Sequence, residues 1–263
     1  MKIGEKTKKI IEKQFTLDCN LPEAEEIKKG EIFLAPSKKL QGARIVNKTD
    51  LFFRAISYNG KVFLMADESI YEGCKEVFKD RQAEWFFEFS NLRLIDKILE
   101  SGGYEIADTH IYFLPDEDFP DIEEDRPVVW YDSREISQRK EKTQTPHALG
   151  YSPTQPDILA VAAVRENRNH ELEEMGIAGA SLDGLYTRQI GLDIKPEYRG
   201  TGLGTYLTTL IKQKITACAG KQGQELVPFY GTNESHSISR RVAVEAGFLP
   251  AWSEIYVKKK VKG

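Results

Sequence analysis

The sequence predicts a mixed α/β fold in two units, a smaller amino-terminal α/β domain at 1–118 and a carboxy-terminal domain at 119–263. Three observations carry this. From 187 onward the text reads strand, glycine turn, helix, strand, helix, strand. Asn59-Gly60 lies between two apolar-rich runs, and because both central positions of a type I′ turn need φ > 0, it marks a hairpin. Residues 115–127, PDEDFPDIEEDRP, are acidic and broken by prolines, as a crossing between two units would be. At 263 residues the chain also exceeds the ~100–200 usual for one domain.

A short amphipathic helix is expected over 1–14, with Ile3, Ile10, Ile11 and Phe15 inward. Strands follow at EIFLAP (31–36), at ARIV (43–46) and on both sides of Asn59-Gly60. DESIYEGCKEVFKDR (67–81) reads as a helix capped by Asp67, and SNLRLIDKILESGG (90–103) as a helix from a Ser90 cap to a glycine stop. YEIADTHIYFLP (104–115) and VVWY (128–131) read as strands, with DSREISQRKEKTQ (132–144) a short polar helix or loop. Three β-rich runs at 158–164, 174–182 and 187–195 are joined by short polar turns, which implies an antiparallel meander. Leu203, Leu207, Leu210, Ile211, Ile215 and Cys218 share one face of a helix over 203–218. LVPFYGT is a further strand, SHSISRRVAVEAG a helix capped by serine and closed by Gly247, and AWSEIYVKK a last strand. No internal repeat is apparent.

Hydrophobic residues at 40% and charged residues at 30% fit a globular protein. A formal net charge of −4 gives no basic field for nucleic acid, and the end VKKKVKG reads as a solvated tail. Cys19, Cys74 and Cys218 are odd in number, widely spaced and without a CxxC pair, so neither a disulfide framework nor a metal site is expected. No apolar run approaches the ~18 residues of a membrane span, and no leader pattern opens the chain. A cytosolic protein without nucleic-acid or membrane partners is the expectation. Trp85, Trp130 and Trp252 read first as core or interface residues.

The chemistry concentrates in DIKPEYRGTGLGTYL (193–207). A helix N-terminus exposes unpaired N–H groups at the positive end of its dipole, so it attracts anions. Glycine at 200, 202 and 204 lets those groups close around a phosphate, and Arg199 adds a fixed charge, as in a diphosphate cradle. A P-loop would end in Gly-Lys-Ser/Thr, whereas Gly204 is followed by Thr205 and Tyr206. A dinucleotide fingerprint needs a third glycine where Thr205 or Leu207 stands. What remains is Arg199-x-x-Gly202-x-Gly204 behind an apolar strand.

That pattern resembles the coenzyme-A motif of the GNAT superfamily of N-acetyltransferases, with Ile194, Pro196, Arg199, Gly202 and Gly204 filling its places. FYGTNESHSISRRVAVEAGFLPAW (229–252) is similar to the superfamily's second motif, a strand then a helix ending in Gly-Phe, here Gly247-Phe248. The resemblance covers roughly 128–258. HALGYSPTQPDILAVAA, GIAGAS, RQIGLDIKPEYRG and VPFYGTNES also look like a bacterial subgroup with a comparable amino-terminal region. The resemblance implies a largely antiparallel, splayed central sheet in the carboxy-terminal domain, with acetyl-CoA or CoA as co-substrate and no metal. Backbone N–H groups of Arg199, Gly200, Thr201, Gly202, Leu203, Gly204 and Thr205 would hold the pyrophosphate, and Ile194 backbone the pantetheine arm. The Leu192 N–H would meet the acetyl carbonyl. Asn233 and Ser239 are candidate contacts to the cofactor arm, Asn233 being equally readable as a turn residue. The amino-terminal unit reads as a degenerate acetyltransferase-like half or as a cap that shapes the acceptor pocket. The acceptor implied is a small-molecule or peptide amine, with homodimerisation open.

The second motif departs from its usual form. His236 stands where an Asn is common, and Ala243 where a Tyr donates a proton to the leaving thiolate. Tyr230 is the candidate substitute, with a buried structural role as the alternative. An alkyl amine of pKa ~10 is neutral in only about one part in a thousand at pH 7, a penalty of roughly 4 kcal/mol unless a base removes the proton. Asp193, Glu173, Glu174 and His236 are the candidates, against surface or capping roles for the same residues, and a water chain could serve instead. Asp193 and Gln189 should face away from Ile190, Leu192 and Ile194. Cys218, on the face expected to be buried, argues against an acyl-thiol intermediate.

Overall fold

The computed structural model describes residues 1–21, 28–45, 48–139 and 145–261. Val46, the last five residues of 132–144 and the tail's Lys262 and Gly263 lie outside these. The fold is mixed α+β with mostly antiparallel strand pairing. Contacts group the chain into two discontinuous units: residues 1–10, 113–232 and 236–250 form one, and residues 11–112, 233–235 and 251–263 the other. The sequence reading draws instead a single boundary between 118 and 119.

Helix α1 (Glu5–Asp18) buries Ile10, Ile11 and Phe15, the apolar stripe its spacing predicts. In the second unit the strand order is β1 (Ile32–Pro36), β3 (Lys61–Ala66), β2 (Phe53–Tyr58), β10 (Phe248–Lys259) and β4 (Tyr104–Pro115). Asn59 and Gly60 take φ of 50° and 71°, so the hairpin turn between β2 and β3 is the one their residue types select. Helix α2 (Glu68–Phe78) is capped by Asp67, whose carboxylate accepts the Ser69 N–H. Helix α3 runs Phe89–Ser101 with Glu88 at the cap, so Ser90 lies inside the first turn rather than before it. Asn91 explains the shift, because its side chain donates to the Trp85 carbonyl and ties that turn to the preceding loop.

The expected strand at ARIV does not form over its described residues, 43–45. Arg44 turns inward: its backbone N–H and its Nε both donate to the Asp18 carboxylate at 2.6 Å, and a terminal nitrogen reaches Glu254 at 2.7 Å. An amide held by a side chain is lost to a ladder. Arg54, also buried, pairs with Asp50 at 3.3 Å. Of the tryptophans, Trp252 is buried in this unit and stacks on Tyr112, whereas Trp85 is exposed.

The first unit holds the meander. Strands β5 (Val128–Asp132), β6 (Asp157–Glu166), β7 (Leu172–Ser181) and β8 (Thr187–Ile194) pair antiparallel in sequence order, and β9 (Val227–Asn233) adds parallel to β8. Helix α4 (Ser133–Ser137) follows β5 with Asp132 and Glu135 in a capping box. Helix α5 (Leu203–Gln222) packs on β6, β7 and β8, and α6 (Ser237–Glu245) leads into β10. Cys218 is exposed, contrary to expectation. The buried stripe of α5 passes from Ile215 to Ala219, four residues on, so the 3.6-residue turn carries Cys218 outward. The serine cap of α6 is likewise absent. His236 holds the cap position, and Ser235 donates both its N–H and its hydroxyl to Asn233.

Lys212 on α5 is buried and donates to the carbonyls of Ala246 and Gly247 at 2.6 and 3.1 Å, closing the end of α6. Burial lowers its pKa from 10.5 to about 8, against the opposing pull of Asp116 and Asp121. Below about 8 both folded and unfolded chains carry this proton. Between about 8 and 10.5 only the unfolded chain keeps it, so stability should rise with pH across that window. Urea midpoints measured from pH 7 to 10.5 should show a rise that Lys212→Met flattens.

Candidate active site

Strand β8 builds the site by pairing on one edge further than on the other. Toward β7 the ladder runs to Gly176↔Ile194, but toward β9 it stops at Ile190↔Tyr230. The Lys195 N–H donates to the Met175 carbonyl. Because antiparallel bonding alternates, the main-chain groups of Gly191 and Asp193 also face β7, while those of Leu192 and Ile194 face the other edge. Beyond Ile190 no described strand pairs with that edge, so the two residues singled out for main-chain contacts present them at an opening fork.

The glycine turn continues from the fork. Gly200 and Gly202 adopt φ of 75° and 78°, a left-handed backbone that side chains other than glycine resist. The first helical bond of α5 is Tyr206 N–H to the Gly202 carbonyl. Among the described residues, none of the six amides from Gly200 to Thr205 donates to an acceptor in the chain. A β-carbon on Gly204 would stand 3.0 Å from Leu192 Cδ2, so its absence lets the helix start close against β8. Arg199 is exposed, and its Nε donates to the Ile194 carbonyl at 3.1 Å. Thr201 donates its hydroxyl to the Tyr198 carbonyl, and Thr205 to Glu245, whose charge Arg241 holds at 2.6 Å. Six amides without an acceptor at the positive end of a 20-residue helix have the chemistry that attracts an anion.

No family model and no curated protein matches the chain. Solved structures do align with it. A GNAT-family acetyltransferase from Novosphingobium aromaticivorans is 18% identical over 60% of this chain and 69% of its own, with a TM-score of 0.40. A GNAT-family acetyltransferase from Colwellia psychrerythraea is 11% identical over 59% and 57%, with a TM-score of 0.40. A tandem GNAT protein from the clavulanic acid biosynthesis pathway is 13% identical over 64% and 58%, with a TM-score of 0.42. The chain thus spans less than two thirds of the length of the last two.

Tyr230 stands at the vertex of the fork, 5% exposed, and its hydroxyl lies 3.0 Å from that of Ser239 on α6. Burial raises its pKa, and the Asp193 charge adds to this against the Ser239 hydrogen bond, so the phenol keeps its proton at neutral pH. Ala243 is fully buried. His236 is exposed and makes no side-chain cap bond, and Asn233 uses its Oδ1 in the local turn with Ser235. The structure therefore brings Tyr230 and Ser239 together, and places His236 and Asn233 in the α6 approach.

Asp193 points away from α5, as its strand position predicts, but it is not an unengaged carboxylate. Its Oδ2 accepts the N–H groups of His147 and Ala148 at 2.8 and 2.7 Å. Asp157 likewise accepts from Gly150 and Tyr151. These two aspartates pin residues 147–151 as a strap over β7 and β8, in a trough made by the cross-strand pair Gly179↔Gly191. A β-carbon on Gly191 would lie 1.9 Å from the His147 carbonyl oxygen, and one on Gly179 2.2 Å from that of Ala148. Because the obstacle is backbone, Gly191→Ala should lower stability by about 1–3 kcal/mol, seen as a lower urea midpoint.

Beside the strap lies a cleft of about 160 Å³ at the ends of β7 and β8. Glu174 is not solvent-facing: Arg139 holds both its oxygens at 2.7 Å and the Tyr131 hydroxyl donates to it at 2.8 Å. Burial opposes its charge, but these bonds prevail and hold its pKa below the usual carboxylate range. Glu173 is tied to Arg165 and Lys195. The strap and the Arg139 fork went unforeseen, although glycine inside two neighbouring strands is itself a signal that another backbone approaches closely.

Proposed function

We propose that the chain is an acetyl-CoA-dependent N-acetyltransferase in which an amine attacks the thioester directly within a ternary complex. The observation that carries this is the fork of β8 and β9 opening onto six acceptor-free amides at the start of α5. A pantetheine arm could pair with the main-chain groups of Leu192 and the Ile194 N–H as a further strand, with its pyrophosphate on amides 200–205 and Arg199. Bound there, acetyl-CoA supplies the activated acyl group. The Leu192 N–H would stabilise charge on the acetyl oxygen as the tetrahedral intermediate forms. Tyr230, protonated and at the vertex, would return a proton to the departing sulfur, and Ser239 would orient its hydroxyl.

The carboxylates near the fork are already hydrogen-bonded, Asp193 by two amides and Glu174 by Arg139 and Tyr131, so removal of the amine proton fits a water chain better than a dedicated base. Cys218 is exposed, but it sits 14 residues beyond Gly204 on α5, about 21 Å along the axis at 1.5 Å per residue, too far for an acyl-thiol intermediate. Buried Ala243, in the place where the superfamily carries a tyrosine, favours one other reading: a CoA-binding sensor that has lost turnover.

Calorimetric titration with acetyl-CoA and CoA, beside a thiol-release screen over amines, tests both. Micromolar binding with amine-dependent thiol release supports the enzyme, binding without release over a broad panel supports the sensor, and no binding overturns both.

A further inference from the structure

The peptide between Gly191 and Leu192 is anchored along one edge and open along the other. Its carbonyl, that of Gly191, faces β7, while its Leu192 N–H faces the edge where no described strand pairs beyond Ile190. Glycine widens that freedom, since a residue without a β-carbon resists backbone rotation least. An amide that stabilises developing charge must nevertheless hold its direction before the charge appears.

The strap restrains this peptide from the face of the sheet. The His147 carbonyl lies so close over Gly191 that a β-carbon there would stand 1.9 Å from its oxygen. On the far side of Leu192, Asp193 Oδ2 accepts the His147 and Ala148 N–H groups at 2.8 and 2.7 Å. The strap therefore packs on the residue before Leu192 and is bonded to the residue after it. It is itself well held: Ala148 and Leu149 are buried with Ile136, Ala160, Ala162 and Ile177, the Thr145 carbonyl accepts the Leu149 N–H, and Asp157 accepts those of Gly150 and Tyr151. The Asp193 bonds tie that fixed segment to β8.

We propose that Asp193 is a positioning residue: by bonding the strap to β8 it keeps the Gly191–Leu192 peptide aimed into the fork, so that the Leu192 N–H meets the acyl oxygen already oriented. That use of the amide rests on the acetyl-transfer reading, but the restraint on the peptide does not. A carboxylate acting as a base fails when its charge is removed, whereas this role needs only an oxygen that accepts two N–H groups. Both bonds end on one atom, Oδ2, and the carbonyl oxygen of an asparagine has the two lone pairs to take them.

The test labels the full chain with [1-13C]glycine and [15N]leucine, which selects the Gly–Leu peptides and so reports Leu192 beside Leu185 and Leu203. Relaxation should give the Leu192 amide an order parameter of about 0.85, that of rigid backbone, in spite of its open edge. Asp193→Ala should lower it toward about 0.6 and leave Leu203 unchanged, and Asp193→Asn should keep the wild-type value. Bound [1-13C]acetyl-CoA gives a second readout, because a donor on the carbonyl oxygen moves its carbon resonance downfield. Wild type and Asp193→Asn should show that displacement, and Asp193→Ala should lose most of it while still binding acetyl-CoA. If Asp193→Ala folds poorly, Asp193→Glu, whose longer arm misplaces the oxygen, should show the same losses. An unchanged Leu192 order parameter in the well-folded Ala or Glu variant, or an Asn variant as mobile as Ala, overturns the positioning role. So does bound acetyl-CoA whose resonance is not displaced in wild type, or is displaced equally in the Ala variant. If wild type binds no acetyl-CoA, the acetyl-transfer reading falls, and the order parameters alone decide whether Asp193 restrains the peptide.

Discussion

Tyr230→Phe should lower kcat by about 10²–10³, the range expected for loss of a general acid, while leaving the affinity for CoA within about twofold. The argument begins with register. Ile190↔Tyr230 is the last pair joining β8 to β9, so the phenol hydroxyl stands where the strands part and where a thioester entering the fork would end. Its ring is buried and one edge of its hydroxyl is held by Ser239. Burial raises its pKa, which keeps the proton available to a departing thiolate. Phenylalanine keeps the ring and its packing, so circular dichroism and the urea midpoint should hold. Ser239→Ala should lower kcat by less, about threefold to tenfold, since it frees the hydroxyl to rotate without removing it. A Tyr230→Phe enzyme with wild-type kcat would move the acid elsewhere and leave Tyr230 a structural residue.

The elements that could be read from sequence are those set by local chemistry. Asn59-Gly60 determines its hairpin, Asp67 caps its helix, and the span 104–115 forms one strand because Gly103 at φ 80° before it and Pro115 at its end punctuate it. The glycine turn was legible for the same reason: positive φ at Gly200 and Gly202 is a demand of the backbone that only glycine meets freely. What escaped notice depends on groups far apart in the chain. Arg44 looks like part of a strand until Asp18 and Glu254 arrive from 26 and 210 residues away. Glu174 looks like a solvated carboxylate until Arg139 closes on it. Asp193 is the sharper lesson. Its position on the strand was predictable, and so was the face it points to, yet its carboxylate already accepts two amides of a segment 45 and 46 residues upstream, which only tertiary structure brings near. Chemistry that depends on one backbone turn is written locally, whereas a carboxylate's role depends on which donors reach it.

Arg199→Glu should weaken CoA binding by about 10²–10³-fold. A charge-assisted hydrogen bond to a diphosphate contributes about 1.5–3 kcal/mol, and a carboxylate in its place adds repulsion of about 1 kcal/mol per like-charge pair near 4 Å in water. The side chain is exposed and, among the described residues, its hydrogen bond is to the Ile194 carbonyl, so replacing it should leave the urea midpoint unchanged and confine the effect to the ligand. Two comparisons divide the loss. Arg199→Gln removes the charge without reversing it and should fall between wild type and Glu. Raising salt should narrow the gap between Gln and Glu, because at 1 M the screening length is about 3 Å, but it should not restore the hydrogen bond. Gly202→Ala approaches the same site from the backbone: its φ of 78° would strain an alanine by about 1–2 kcal/mol, turning the amides away while every charge stays in place. If the cradle holds a diphosphate, Arg199→Glu and Gly202→Ala must both weaken CoA, with only the first depending on salt. Loss from the arginine alone would mean that the anion sits on the side chain and that the six amides face something else.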